Sequence, residues 1–91
     1  MSQRQKLLTK WKSNPPVEEE IESIISVLDY YGINYSIPDH LVIHDDRLSD
    51  LQEVRGGITI PISKGRKVKK IYLRRLVRVL EILGVYEEID T

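Results

Sequence analysis

The chain has 91 residues, no cysteine, and 14 basic against 14 acidic side chains, for a formal net charge of zero. That length suits a single domain, 1–91, and rules out a large core: folding at this size buries only about 60 to 65% of the surface an unfolded chain exposes, so an oligomer or partner would add stability. Without Cys there is no disulfide framework and no thiolate metal site; apolar runs of only a few residues leave no membrane span, and the polar start Met1-Ser2-Gln3-Arg4 is unlike a secretory signal, so a soluble cytoplasmic protein is expected.

The zero net charge conceals segregation. Residues 1–16 carry Arg4, Lys6, Lys10 and Lys12 and no acid, whereas residues 17–53 carry ten acids against Arg47 alone. Residues 54–80 then hold nine cations (Arg55, Lys64, Arg66, Lys67, Lys69, Lys70, Arg74, Arg75 and Arg78) and no acid. Local patches rather than totals set binding potentials, so the last segment predicts a surface for a polyanion.

In chain order, Arg4 to Lys12 predicts a short helix with Leu7, Leu8 and Trp11 on one side, forming a helical N-terminal extension over 1–16. Asn14-Pro15-Pro16 stops it. Asn14 is also a candidate N-cap for a helix over 17–31, with Glu18, Glu19 and Glu20 in a first turn that favours anions and Gly32 at the left-handed C-terminal position. Ile21, Ile24, Ile25 and Leu28 give that helix its apolar stripe.

Ile33 to Ile37 and His40 to His44 read as two short strands about a turn at Pro38-Asp39. Residues 45–55 read as a polar, mobile connection. Ile58, Ile60 and Ile62 alternate as in a third strand, which Pro61 places at a sheet edge. The loop Ser63 to Lys67 leads to a helix over about 69–83, with Leu73, Leu76, Val77, Leu80 and Leu83 at helical spacing and Gly84 at its end. Backbone N–H groups at that helix start would add to the lysines in holding phosphates. The expected class is α+β, in the order α-α-β-β-β-α: a three-stranded antiparallel sheet with helices on one face, the other face and the loops left for function. The five tyrosines are expected mainly in packing.

Three segments resemble a known family. Leu7-Leu8-Thr9-Lys10-Trp11-Lys12-Ser13-Asn14-Pro15-Pro16 with a following helix that ends Tyr30-Tyr31-Gly32, then Ile58-Thr59-Ile60-Pro61, then Val68-Lys69-Lys70-Ile71-Tyr72-Leu73-Arg74-Arg75-Leu76 are similar, in order and spacing, to the HicA toxins. The resemblance implies a double-stranded-RNA-binding-domain-like fold and a metal-independent endoribonuclease that cleaves messenger RNA and is neutralised by a HicB-type antitoxin. It also implies that His40, at the start of the second strand, is catalytic. Pro38 and Asp39 stand where the family usually has Gly-Ser, and Ser63 stands where a second histidine is often found.

Cleavage without metal needs a base for the ribose 2'-hydroxyl, an acid for the leaving oxygen, and cations for the developing phosphorus oxyanions. Histidine can serve as base or acid. His40 and His44 share a strand face but lie about 13 Å apart at roughly 3.3 Å per residue, too far to act on one phosphate. Asp39 could orient the imidazole of His40, and Lys64, Arg66 or Lys67 could supply charge to the transition state.

Lys67, Lys69 and Lys70 are similar to the lysines with which double-stranded-RNA-binding domains meet phosphates at the start of their last helix. With Lys64, Arg66 and Arg74 they form the candidate RNA-binding set. No cofactor is implied. A metal site at His44-Asp45-Asp46 is not expected, since adjacent strand residues point to opposite faces. The alternative is a catalytically degenerate RNA-binding or protein-interaction module on the same fold, including a homo-oligomer that pairs residues 17–53 with the basic segment.

Overall fold

A computed structural model of the protein describes residues 3–51 and 57–87. Its elements are α1 (Gln3–Ser13), β1 (Glu18–Glu20), α2 (Ile21–Tyr30), β2 (Asn34–Ser36), β3 (Leu41–His44), a 3-10 helix (Asp46–Leu51), β4 (Gly57–Ile60), β5 (Lys67–Lys69) and α3 (Lys70–Ile82). Strands β2, β3 and β4 form a three-stranded antiparallel sheet in that order, while β1 and β5 form a separate antiparallel ribbon. The protein is thus a small α+β structure. No helix among the described residues is long and apolar enough to cross a membrane.

Strand alternation divides the sheet into two faces. Leu41 and Ile43 of β3 and Ile58 and Ile60 of β4 are buried, in one cluster with Ile21, Ile24, Val27 and Leu28 of α2 and Leu73, Leu76, Val77, Val79 and Leu80 of α3. Each such side chain, fully buried, is worth about 1.5–3 kcal/mol of hydrophobic transfer. The opposite face carries Asn34, Ser36, Val42, His44 and Thr59, all exposed or half-buried. A three-stranded antiparallel sheet with helices on one face is as expected. The edge position expected for the Pro61 strand also holds, since β4 is last in the sheet.

Helix α1 joins the same core through Leu8 and Trp11. Two buried hydrogen bonds fix it: the Trp11 indole N–H donates to Glu19 Oε2 at 2.8 Å, and the Tyr86 hydroxyl donates to the Leu8 carbonyl at 2.9 Å. Tyr31, Tyr35 and Tyr72 pack partly against the core, as expected. Tyr30 does not; it is 59% exposed and lies under the Arg4 guanidinium, 3.8 Å from the ring centroid.

The expected helix over 17–31 begins only at Ile21, and Asn14 does not cap it; its N-cap is Glu20, with no side-chain cap bond. Residues 18–20 pair instead with β5, in the register Glu18↔Lys69, Glu19↔Val68 and Glu20↔Lys67. Burial of Glu19 opposite Val68, with its bond from the Trp11 indole, outweighs the weaker attraction of three glutamates for a helix dipole. The ribbon caps the helices that leave it. Ile21 N–H donates to the Arg66 carbonyl and Lys70 N–H to the Val17 carbonyl, both at 2.9 Å, which gives each helix a partner for its first orphan N–H.

Both main helices close as their glycines predict. Gly32 has φ 66° and Gly84 φ 81°, and each passes a following N–H back along its helix: Ile33 to the Leu28 carbonyl and Val85 to the Leu80 carbonyl, both at 3.0 Å. The expectation of a mobile connection over 45–55 is corrected for its first part. Residues 46–51 form the 3-10 helix, and Leu48 is buried at 1% exposure. Burial of Leu48 anchors this mostly polar run to the core. Arg47, chelated by Asp45, donates to the Leu83 carbonyl at 3.2 Å and so covers the C-terminal end of α3. Residues 52–55 lie outside the described residues.

Candidate nucleic-acid interface

The basic segment folds as a tight turn, a short strand and a helix. Ser63 closes the turn: its N–H donates to the Lys67 carbonyl at 2.7 Å and its hydroxyl donates to the same oxygen at 3.0 Å. Gly65 and Arg66 both take positive φ, 83° and 57°, which lets the chain reverse in three residues. Lys64, Arg66, Lys69 and Arg74 are exposed, and Lys67 and Lys70 are half-buried. All six candidate RNA-binding cations therefore lie on one continuous stretch from the turn through the first turns of α3. Arg55, also in the basic segment, lies outside the described residues.

Acids accompany half of that set. Arg66 Nε donates to Glu22 Oε1 at 3.1 Å. The Glu22 carboxyl is held below its ordinary value by its own backbone N–H first and then by Arg66. Lys67 and Lys69 stand opposite Glu20 and Glu18 across the ribbon, where directly paired Cβ atoms are about 5 Å apart. Lys64, Lys70 and Arg74 have no such neighbour in the β1–β5 register. Of the α3 N-terminal N–H groups expected to face phosphates, that of Lys70 is taken by the Val17 carbonyl.

No protein-family model, curated protein or solved structure matches this chain.

His40 is exposed and lies one residue before β3. Its Nδ1 accepts the Ile62 N–H at 3.0 Å. A backbone N–H can only donate, so the accepting Nδ1 is unprotonated and the proton of the neutral ring sits on Nε2. In this orientation Nε2 is a donor, suited to holding a phosphate oxygen; it accepts a proton only if the ring turns and gives up Ile62. Asp39 is exposed, and it is the Ile62 N–H that orients the imidazole. His44 points to a different partner, the Ser36 hydroxyl at 3.0 Å on the open face of the sheet. The two histidines therefore engage opposite neighbours of β3 and form no pair.

Sequence reasoning located the cations and missed their counter-charges. The signal lay in two matching triplets, Glu18-Glu19-Glu20 and Lys67-Val68-Lys69, complementary in charge when paired antiparallel with the middle residues facing inward. It also missed Glu19 itself. This carboxylate is 8% exposed, accepts the Trp11 indole N–H and the Glu20 N–H, and lies 3.8 Å from the Lys10 ammonium, so it pins β1 and, through it, the basic ribbon.

Proposed function

We propose that this protein is a HicA-like RNA-binding protein that holds RNA phosphates on the basic turn and on α3. One observation carries the reading: Lys64, Lys70 and Arg74, on the basic turn and the start of α3, follow a three-stranded antiparallel sheet in the order helix α2, sheet strands β2, β3 and β4, helix α3, with the 3-10 helix and the ribbon strand β5 also intervening. That order is the one implied by a double-stranded-RNA-binding-domain-like fold, whose lysines at the start of the last helix meet phosphates by shape rather than base sequence. A HicB-type antitoxin would neutralise the protein by covering this face. Fluorescence anisotropy with a labelled RNA hairpin tests the reading. If about four phosphates are neutralised, log affinity falls with log salt at a slope of about -3 to -4; a slope near zero refutes it.

A second reading adds metal-independent cleavage of messenger RNA through His40. It draws on the exposed imidazole at the start of β3, with Nε2 directed away from its Ile62 anchor. As oriented, the ring would donate to a phosphate oxygen, and service as the base requires the Ile62 bond to open. Incubating the RNA with the purified chain and no metal separates the two. Cleavage that His40→Ala abolishes supports the nuclease, whereas intact but bound RNA leaves a binding module.

A further inference from the structure

The acids facing the basic ribbon divide the cations into two groups, and the division selects a path for RNA. We infer that the phosphates of a bound RNA strand run along the outer ridge of α3, over Lys70, Arg74 and Arg78, while Glu18, Glu20 and Glu22 fence them off from Arg66, Lys67 and Lys69. This rests on the RNA-binding reading above and assigns its footprint, adding Arg78 and removing half of the residues that sequence similarity suggests.

Three observations support the division. The fence is fixed: β1 is held against β5 by its ladder, by the Lys70 N–H to Val17 and Ile21 N–H to Arg66 bonds at its ends, and by the buried Glu19 hydrogen-bonded to Trp11. The β1 backbone therefore stays in register when phosphates arrive and keeps the exposed Glu18 and Glu20 opposite Lys69 and Lys67. The ridge is periodic: residues four apart on a helix rise about 6 Å and rotate by about 40°, so Lys70, Arg74 and Arg78 form a gently winding row. That step is close to the separation of successive phosphates on one strand. Finally, the row is bounded. Glu81, one turn past Arg78, is paired with Lys12 at 3.6 Å, and Arg75 beside the row reaches the Thr59 carbonyl at 3.4 Å, which ties the ridge to the sheet. Ile71, 69% exposed next to Lys70, offers the ribose or base an apolar surface.

Two variants test the path, read by anisotropy with a labelled RNA hairpin. Arg74→Gln with Arg78→Gln removes two ridge contacts. At ~0.15 M salt a counterion-release slope of 0.7 to 0.9 per phosphate makes this a loss of about 14- to 30-fold, with the salt slope shallower by about 1.5. Neutralising the ribbon on both sides (Glu18→Gln, Glu20→Gln, Lys67→Gln and Lys69→Gln together) leaves net charge unchanged and should leave affinity within about twofold and the slope unaltered. If the neutral ribbon instead loses about 14-fold or more while retaining wild-type circular dichroism, Lys67 and Lys69 belong to the footprint and the inference is overturned. Should the neutral ribbon not fold, the ridge variant still decides: binding unchanged by loss of Arg74 and Arg78 overturns the path. No RNA binding by the wild type, with binding of poly-glutamate in its place, makes the basic face a site for an acidic protein and overturns both this inference and the reading on which it rests.

Discussion

Replacing Glu19 with alanine removes the acceptor of a 2.8 Å hydrogen bond from an indole N–H that is itself buried, with Trp11 at 1% exposure. A buried donor left without a partner costs about 1–3 kcal/mol. The Glu20 N–H, on an exposed residue, can turn to water, and the Lys10 contact at 3.8 Å involves a half-exposed ammonium, so each adds about 1 kcal/mol or less. The expected loss is therefore about 2–3 kcal/mol, which for a domain of this size lowers Tm by about 10–20 °C. Glu19→Gln keeps one carbonyl acceptor for Trp11 and should cost only about 1 kcal/mol. Trp11 is the sole tryptophan, so urea titrations followed by its emission report this junction directly, with far-UV circular dichroism reporting the whole fold. A cycle of Trp11→Phe and Glu19→Gln should give a coupling of about 1 kcal/mol or more. Equal losses below about 1 kcal/mol for the Ala and Gln variants would refute the argument that this carboxylate pins β1.

Three further outcomes follow from the same contacts. Tyr86→Phe should cost about 1 kcal/mol by removing the hydroxyl's bond to the Leu8 carbonyl; burial first, and the nearby Glu81, push the Tyr86 phenol well above its ordinary value, so wild-type stability is intact below about pH 10 and declines above it. The alkaline decline of the Phe variant should be smaller but not absent, since Asp29 also raises the Tyr35 phenol through its hydrogen bond. Asp45 is held below the usual carboxylate range, chiefly by the Arg47 side chain, so its contribution is present at neutral pH and lost as pH falls below about 4; Asp45→Asn should narrow the Tm difference between pH 7 and pH 3. Leu48→Ala should cost about 2–4 kcal/mol in urea unfolding, the range for a fully buried leucine, whereas a loss under about 0.5 kcal/mol would mean that the 3-10 helix contributes no core.

The parts of the fold that were legible are those in which local pattern and tertiary burial agree. Ile21, Ile24 and Leu28, and Leu73, Leu76, Val77 and Leu80, recur at helical spacing and all are buried; Gly32 and Gly84 stop their helices through positive φ; Pro61 follows an edge strand. Where the two disagree, the reading failed. Glu18 to Glu20 look like the acidic first turn of a helix, and nothing local reveals that their partners are Lys67 to Lys69 at the far end of the chain. Leu48, with Leu51 as the other leucine among the acids and polar side chains of the 3-10 helix, gives too short a pattern to announce a packed turn. The candidate site follows the same division. Its cations are a property of composition, while the acids that face half of them arrive only with the fold, Glu22 paired to Arg66 and Glu18 and Glu20 set opposite Lys69 and Lys67 by the register of the ribbon. The partner of His40 is likewise non-local, a backbone donor beyond the end of the third strand of the sheet.

That backbone contact changes what a histidine at position 40 signifies. The β3–β4 ladder ends at Leu41↔Ile60, and the residue after β4 is Pro61, which has no N–H to extend it. The imidazole takes up the following donor, Ile62 N–H, so the side chain acts as one more rung and keeps the open end of the sheet from fraying. Selection on folding alone would then favour histidine here, whatever the sheet is used for.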